Sequence, residues 1–188
     1  MLDPALARRL RLVGFDVDGV LTDNGIYLGM VGDHPVELKR FHIQDGIGLH
    51  LLREAGLTVV LASGRRSEAT EIRARELKVD EVVQDDKKLP AFEALLARRG
   101  VGWDESAFVG DDLADLPVLR RVALPIAVAN AVPEILAAAQ VVTTRAGGQG
   151  AVREVAELLL KSRDEWHSSV TQYFVQRGEV AHGPQRAR

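Results

Sequence analysis

LVGFDVDGVLTD, residues 12–23, is the stretch from which the rest of the chain can be read. Its apolar run, Leu12-Val13-Gly14-Phe15, stops at two aspartates one residue apart, Asp16 and Asp18, followed by glycine. A short apolar run ending at a turn signal reads as a buried strand of a parallel sheet. In open α/β sheets ligands bind at the carboxyl ends of the strands, which is where these two side chains emerge. Two carboxylates placed there repel each other and resist burial without a counter-charge, so a cation is the expected partner. An all-oxygen site with few protein ligands favours Mg²⁺, which keeps several waters and shares a phosphate readily. The competing reading is an ordinary Asp-rich turn, so the assignment needs support from elsewhere in the chain.

Working outward, residues 3–10 read as a short helix with Asp3 as its cap and Pro4 at its first position. Residues 24–41 carry Gly25, Gly29, Gly32 and Pro35 around two short apolar runs, which predicts a β-hairpin set off from the main sheet. Beyond it the pattern alternates. Helices are expected over 44–54, 67–77, 89–99, 116–122, 133–139 and 150–160, and strands over 58–62, 80–83, 106–109, 124–128 and 141–142. That alternation predicts a Rossmann-like, doubly wound parallel sheet covered on both faces, occupying residues 1–162. After Lys161 the composition changes. Residues 163–188 are read as a helix over 165–176 and a polar, basic tail ending in Arg186 and Arg188.

With 188 residues, 46% hydrophobic and 27% charged, the chain has the size and balance of one folded α/β domain. A net charge of -3 offers no footprint for nucleic acid or an anionic membrane, and the absence of cysteine removes disulfides and thiolate metal sites. No apolar stretch reaches the length of a membrane span, so a cytoplasmic protein with no membrane partner is expected.

Four predicted strand ends offer, in order, Asp16 with Asp18, Ser63-Gly64-Arg65, Lys88, and Asp111-Asp112 with Asp115. This is the inventory of a phosphoryl-transfer site. It needs one carboxylate to attack phosphorus and a second to move the leaving group's proton. A hydroxyl and an amide hold the oxygens, and a lysine and a divalent cation neutralise charge. Each motif alone is weak; their order is what carries weight. Lys87 competes for the role of Lys88, Asp112 could instead cap the next helix, and Arg73 could lie on a solvated helix face. His34, His167 and His182 lack a partner at metal spacing, and Trp103 and Trp166 read as packing or interface residues.

DVDGVLTD, ASGR, the lysines of DDKK and GDDLAD resemble the four motifs of the haloacid dehalogenase superfamily of aspartate-nucleophile phosphatases. Longer segments, including LKRFHIQDGIGLHLL, VGDDLADLPVL and AGGQGAVREV, resemble its capless 3-deoxy-D-manno-octulosonate 8-phosphate phosphatase family over residues 10–160. The resemblance implies Asp16 as nucleophile, Asp18 as general acid/base, and Mg²⁺ held by Asp16, the Asp18 carbonyl and Asp111. Asp112 and Asp115 would act through water or by orienting those ligands. Ser63 and the Gly64 amide would hold phosphoryl oxygens, with Lys88, the favoured lysine, bridging nucleophile and phosphate. Arg65, Arg73, His50 and the segment His42, Ile43, Gln44, Asp45, Gly46 match positions at the sugar acid.

Gln44, His50 and Gln149 stand where the family commonly has arginine, the usual fork for a carboxylate. A related nonulosonate (sialic-acid-like) phosphate therefore remains an alternative substrate. A non-catalytic regulatory relative and a phospho-receiver module are further alternatives; the intact acidic set argues against the first, and the late position of Asp111 against the second. Neither gap between motifs has room for a cap, so the resemblance implies a homotetramer built on the hairpin 24–41, with the tail able to reach a neighbouring site.

Overall fold

Strand β1 (Leu12–Phe15) is buried along its whole length because it lies between two parallel neighbours, β4 (Thr58–Ser63) and β6 (Ser106–Gly110). The computed structural model describes residues 2–179. Around that centre β5 (Glu81–Gln84), β7 (Leu124–Ala127) and β8 (Val141–Val142) complete a six-stranded parallel sheet in the order β5-β4-β1-β6-β7-β8. The chain first winds outward from β1 through β4 to β5, then returns to the other side of β1. The order reverses there, and a crevice opens at the carboxyl ends of β1 and β6.

Helices α1 (Pro4–Arg9), α2 (Ile43–Glu54), α3 (Glu68–Leu77), α4 (Lys88–Arg99), α5 (Leu116–Leu119), α6 (Pro133–Ala138), α7 (Ala151–Ser162) and α8 (Trp166–Val175) cover the sheet. On α7, Val152, Val155, Ala156 and Leu159 form one buried stripe, and this face packs on α2. Helix α8 lies against α2 and α7, where Trp166 takes Arg153 and Lys161 over its ring. Trp103 packs on Phe92. Helix α5 is shorter than the spacing predicts, because the Ala123 amide bonds the Trp103 and Ser106 carbonyls and pulls the chain toward β7.

The expected hairpin is present as a separate two-stranded ribbon, β2 (Tyr27–Val31) and β3 (His34–Leu38). It is tied to the body by a bridge between Thr22 and Phe41 and by an ion pair of Arg40 with Asp23. The terminal segment 180–188, with His182, Arg186 and Arg188, lies outside the described residues. Among the described residues no helix is long and apolar enough to cross a membrane.

Candidate active site

Asp16 follows β1 directly, and its amide bonds the Val109 carbonyl of β6 at 2.9 Å, so its side chain is fixed by the sheet itself. Lys88, the first residue of α4, sends its ammonium into the crevice, 2.6 Å from Asp16 Oδ1 and 2.6 Å from Asp115 Oδ1. All three groups are buried. Asp115 accepts the Asp111 amide on its other oxygen at 3.0 Å. It therefore positions Lys88 and the β6 loop. Lys87 stays exposed, and Asp112 caps the turn after β6 by accepting the Leu113 amide at 2.7 Å.

Carboxylate oxygens of Asp16, Asp111 and Asp115 lie within 4.8 Å of one another, and Asp111 Oδ1 is buried with no hydrogen-bond partner among the described residues. Burial, and then the charge of Asp115, pushes the Asp111 carboxyl up to about 6; burial likewise pushes Asp16 well up, with Asp115 and Asp111 adding to it. Burial would lower Lys88, but Asp16 and Asp115 outweigh it and hold the ammonium charged. A crowded set of hard oxygen donors from Asp16, Asp111 and Asp115 with an orphaned acceptor fits a small divalent cation. Glycine is required at position 19, where φ is +95° and any Cβ would collide with the Asp111 carboxylate.

Asp18 occupies the wide turn Val17–Leu21, which the Thr22 amide closes on the Val17 carbonyl at 3.0 Å. The sequence sets Asp16 and Asp18 against each other; the structure turns Asp18 away to a cation of its own. Its Oδ1 is 2.7 Å from the Lys39 ammonium, and its Oδ2 is 3.4 Å from the Ser63 hydroxyl at the end of β4. Lys39, just past β3, was not singled out from the sequence, although Glu37 and Lys39 alternate with Val36 and Leu38 at the period of a strand. The charged pair faces inward, and Glu37 also binds Arg65 (2.7 Å) and the Ser67 hydroxyl (2.5 Å). The hairpin is thereby keyed into the loop after β4.

A haloacid dehalogenase-like hydrolase model matches residues 82–155, the part of the chain that carries Lys88 and Asp111. The 3-deoxy-D-manno-octulosonate 8-phosphate phosphatase of Escherichia coli K12 is 42% identical over 157 residues, covering 83% of this chain and 82% of its own. This chain belongs to that phosphatase family of haloacid dehalogenase-like hydrolases. The Yersinia pestis enzyme is 41% identical, covering 85% and 84% of the two chains. Among solved structures, the Moraxella catarrhalis enzyme, in complex with magnesium, phosphate and 3-deoxy-D-manno-octulosonate (KDO), superposes with a TM-score of 0.84 at 34% identity, covering 90% and 97%. A Legionella pneumophila hydrolase of the superfamily gives 0.86 at 37%, covering 92% and 94%.

Against this family pattern the expected sugar-acid positions separate into two groups. Arg65 is at the crevice, bound to Glu37. Arg73 is no solvated residue: it lies beside Gly46, over the Phe41 ring at 5.7 Å, and binds Glu76 at 2.8 Å. Ile43 is exposed at the start of α2, and His42 Nδ1 is buried with no hydrogen-bond partner among the described residues. Gln44 Oε1 accepts from Arg145 Nη1 at 3.3 Å, so a guanidinium that sequence reading missed stands beside a glutamine that replaces a common family arginine. Asp45 Oδ1 accepts the Arg153 amide and holds the first turn of α7, while its Oδ2 is buried with no hydrogen-bond partner among the described residues. His50, two turns further along α2, packs edge-on against Tyr173 of α8, and Gln149 is exposed.

The Asp111 shift has a measurable consequence. A carboxyl raised from an ordinary 3.8 to about 6 is neutral in the folded metal-free protein at low pH. As pH rises through that window, folding must carry a buried charge, and metal-free stability falls. Mg²⁺ removes this cost, so its stabilising effect must grow across the same window. At Mg²⁺ a hundredfold above its Kd we expect a Tm gain of about 5–10 °C at pH 7.5 and a much smaller gain at pH 5, relative to EDTA. Equal gains at both pH values, or none at pH 7.5, would overturn the assigned ligand set.

Proposed function

We propose that the chain is a Mg²⁺-dependent phosphatase that hydrolyses 3-deoxy-D-manno-octulosonate 8-phosphate to the free sugar acid and phosphate. The observation that carries this reading is the buried Asp16–Lys88–Asp115–Asp111 constellation in a chain 42% identical to the named phosphatase across most of its length.

Asp16 attacks phosphorus while Asp18 protonates the departing alkoxide, which breaks the P–O ester bond and leaves an aspartyl phosphate. Asp18 then takes a proton from water as the water attacks that phosphate, and Asp16 is restored. Ser63 and the Gly64 amide hold phosphoryl oxygens, and Lys88 favours the anionic form of Asp16 and meets the phosphate's charge. Asp16, the Asp18 carbonyl and Asp111 would hold Mg²⁺, which screens the repulsion between nucleophile and phosphate. Arg65 and Arg73, with His42 to Gly46, flank the sugar. The Arg145 guanidinium beside Gln44 supports an acidic substrate even though the family arginines at 44, 50 and 149 are absent.

Those same replacements favour a second reading, a nine-carbon nonulosonate 9-phosphate. A panel compared by kcat/KM decides between them. The eight-carbon acid phosphate is expected to exceed neutral hexose phosphates by at least about a hundredfold, as a charge-assisted pair to the carboxylate would give. Preference for the nine-carbon ester would select the second reading, and indifference to the carboxylate would overturn both. The reading also places the chain in the cytoplasm, on the route to lipopolysaccharide, and in a homotetramer. The exposed apolar hairpin supports the last point, because among the described residues nothing covers its apolar side chains and no cap covers the site.

A further inference from the structure

Lys39 sits outside the strand-end motifs, yet its side chain has no exposure at all. Burying a lysine is costly unless its charge is met, and here three groups meet it. Asp18 Oδ1 lies at 2.7 Å, Thr70 Oγ1 at 3.3 Å and Glu37 Oε1 at 3.7 Å. Glu37 is fixed in turn by Ser67 and Arg65, so the ammonium is held from the hairpin side and from the N-terminal turn of α3.

We propose that Lys39 is a positioning residue for the acid/base step: it clamps one oxygen of Asp18 and so aims the other at the leaving-group oxygen. This rests on the phosphatase reading above. The terminal torsion of an aspartate is broad and nearly two-fold, so a backbone turn alone does not fix which oxygen faces the substrate. Lys39 restricts that freedom at Oδ1 through a close ion pair; among the described residues that oxygen has no hydrogen-bond partner. At Oδ2 the one hydrogen bond among the described residues comes from the Ser63 hydroxyl at 3.4 Å, and that hydroxyl has a better acceptor in the Arg65 carbonyl at 3.0 Å. Oδ2 is therefore the oxygen available to carry the proton. As the Asp16–phosphorus bond forms and the ester P–O bond breaks, the bond's electron pair goes to the alkoxide oxygen, which takes that proton.

A cation that only stabilises the fold would affect every substrate alike; a cation that aims a proton matters only where the leaving group needs one. An alkoxide needs it, whereas a nitrophenolate leaves without it. The test compares wild type and Lys39→Met, with Mg²⁺, on 3-deoxy-D-manno-octulosonate 8-phosphate and on a series of aryl phosphates of graded leaving-group basicity. The readout is kcat/KM, which reports only steps through departure of the alcohol. For the sugar ester, and for the most basic phenols, we expect a loss of about a hundredfold, and for p-nitrophenyl phosphate less than about fivefold. The retained nitrophenyl rate also reports that the variant is folded. If Lys39→Met does not fold, Lys39→Gln gives the same comparison. An equal loss across all leaving groups, or no loss, would overturn the inference. Failure of the wild type on the sugar ester would instead overturn the substrate reading, and the aryl series would still decide the role of Lys39.

Discussion

Asp16→Asn should abolish turnover while leaving the fold intact. The amide keeps the shape of the side chain but has neither the anionic oxygen that attacks phosphorus nor the charge that attracts a divalent cation. A loss of at least about 10⁴-fold in kcat is expected, equivalent to about 5.5 kcal/mol of transition-state stabilisation. Stability should move in the other direction or not at all. Burial, with Asp115 and Asp111, raises the Asp16 carboxyl against the opposing pull of Lys88, so its charged form is disfavoured in the metal-free protein. The variant removes that charge, and Lys88 retains Asp115 as its partner. Its Tm in EDTA at pH 7.5 should therefore equal or exceed that of wild type, and the gain on adding Mg²⁺ should shrink. Measured together, turnover and the two melting curves separate loss of chemistry from loss of structure. A variant rate within tenfold of wild type would mean that the nucleophile lies elsewhere.

Much of this site can be read from the chain because it stands at strand ends. The apolar runs that end at Asp16, Ser63 and Asp111 give both the parallel sheet and the residues its crevice gathers, since a strand's last side chain is placed by the ladder that holds the strand. Lys88 follows for the same reason, one turn after β5. What is not legible depends on partners far away in sequence. Asp45 reads from the sequence as a substrate residue, and the amide it also accepts, on Arg153 more than a hundred residues later, cannot be seen there. His50 keeps the helical register of α2, but only the packing of α8 shows that it meets Tyr173. Lys39 and Glu37 are unremarkable on an exposed hairpin, where charges usually point to water; the wide turn at Asp18 and the cap at Ser67 give them buried partners. Arg145 escapes notice because its relevance depends on the glutamine at position 44.

On the proposed homotetramer, the double substitution Leu28→Glu with Met30→Glu should yield monomers and reduce activity on the sugar ester. On β2, Leu28 is 79% and Met30 64% exposed, and they alternate to the same side of the ribbon. The opposite side carries Tyr27 and Val31, also exposed, with Leu38 paired to Tyr27 across the hairpin. A two-stranded ribbon apolar on both sides is marginal by itself in water, and natural surfaces seldom leave such a patch uncovered. Copies of the same hairpin around a symmetry axis would bury it, and each subunit then contributes the same patch. A carboxylate forced into that interface without a partner costs several kcal/mol, and symmetry repeats the cost in every subunit. The body of each subunit does not depend on these side chains, so its circular dichroism should be unchanged. The site does depend on the ribbon, because β3 delivers Glu37 to Arg65 and Ser67 and leads to Lys39 at Asp18. A hairpin that is no longer held from outside fixes those residues less well and no longer shields the crevice. We expect kcat/KM for the sugar ester to fall at least about tenfold as the sedimentation coefficient drops to that of a monomer. A wild type that sediments as a monomer, or a double variant that stays tetrameric, would show that the ribbon serves some other contact.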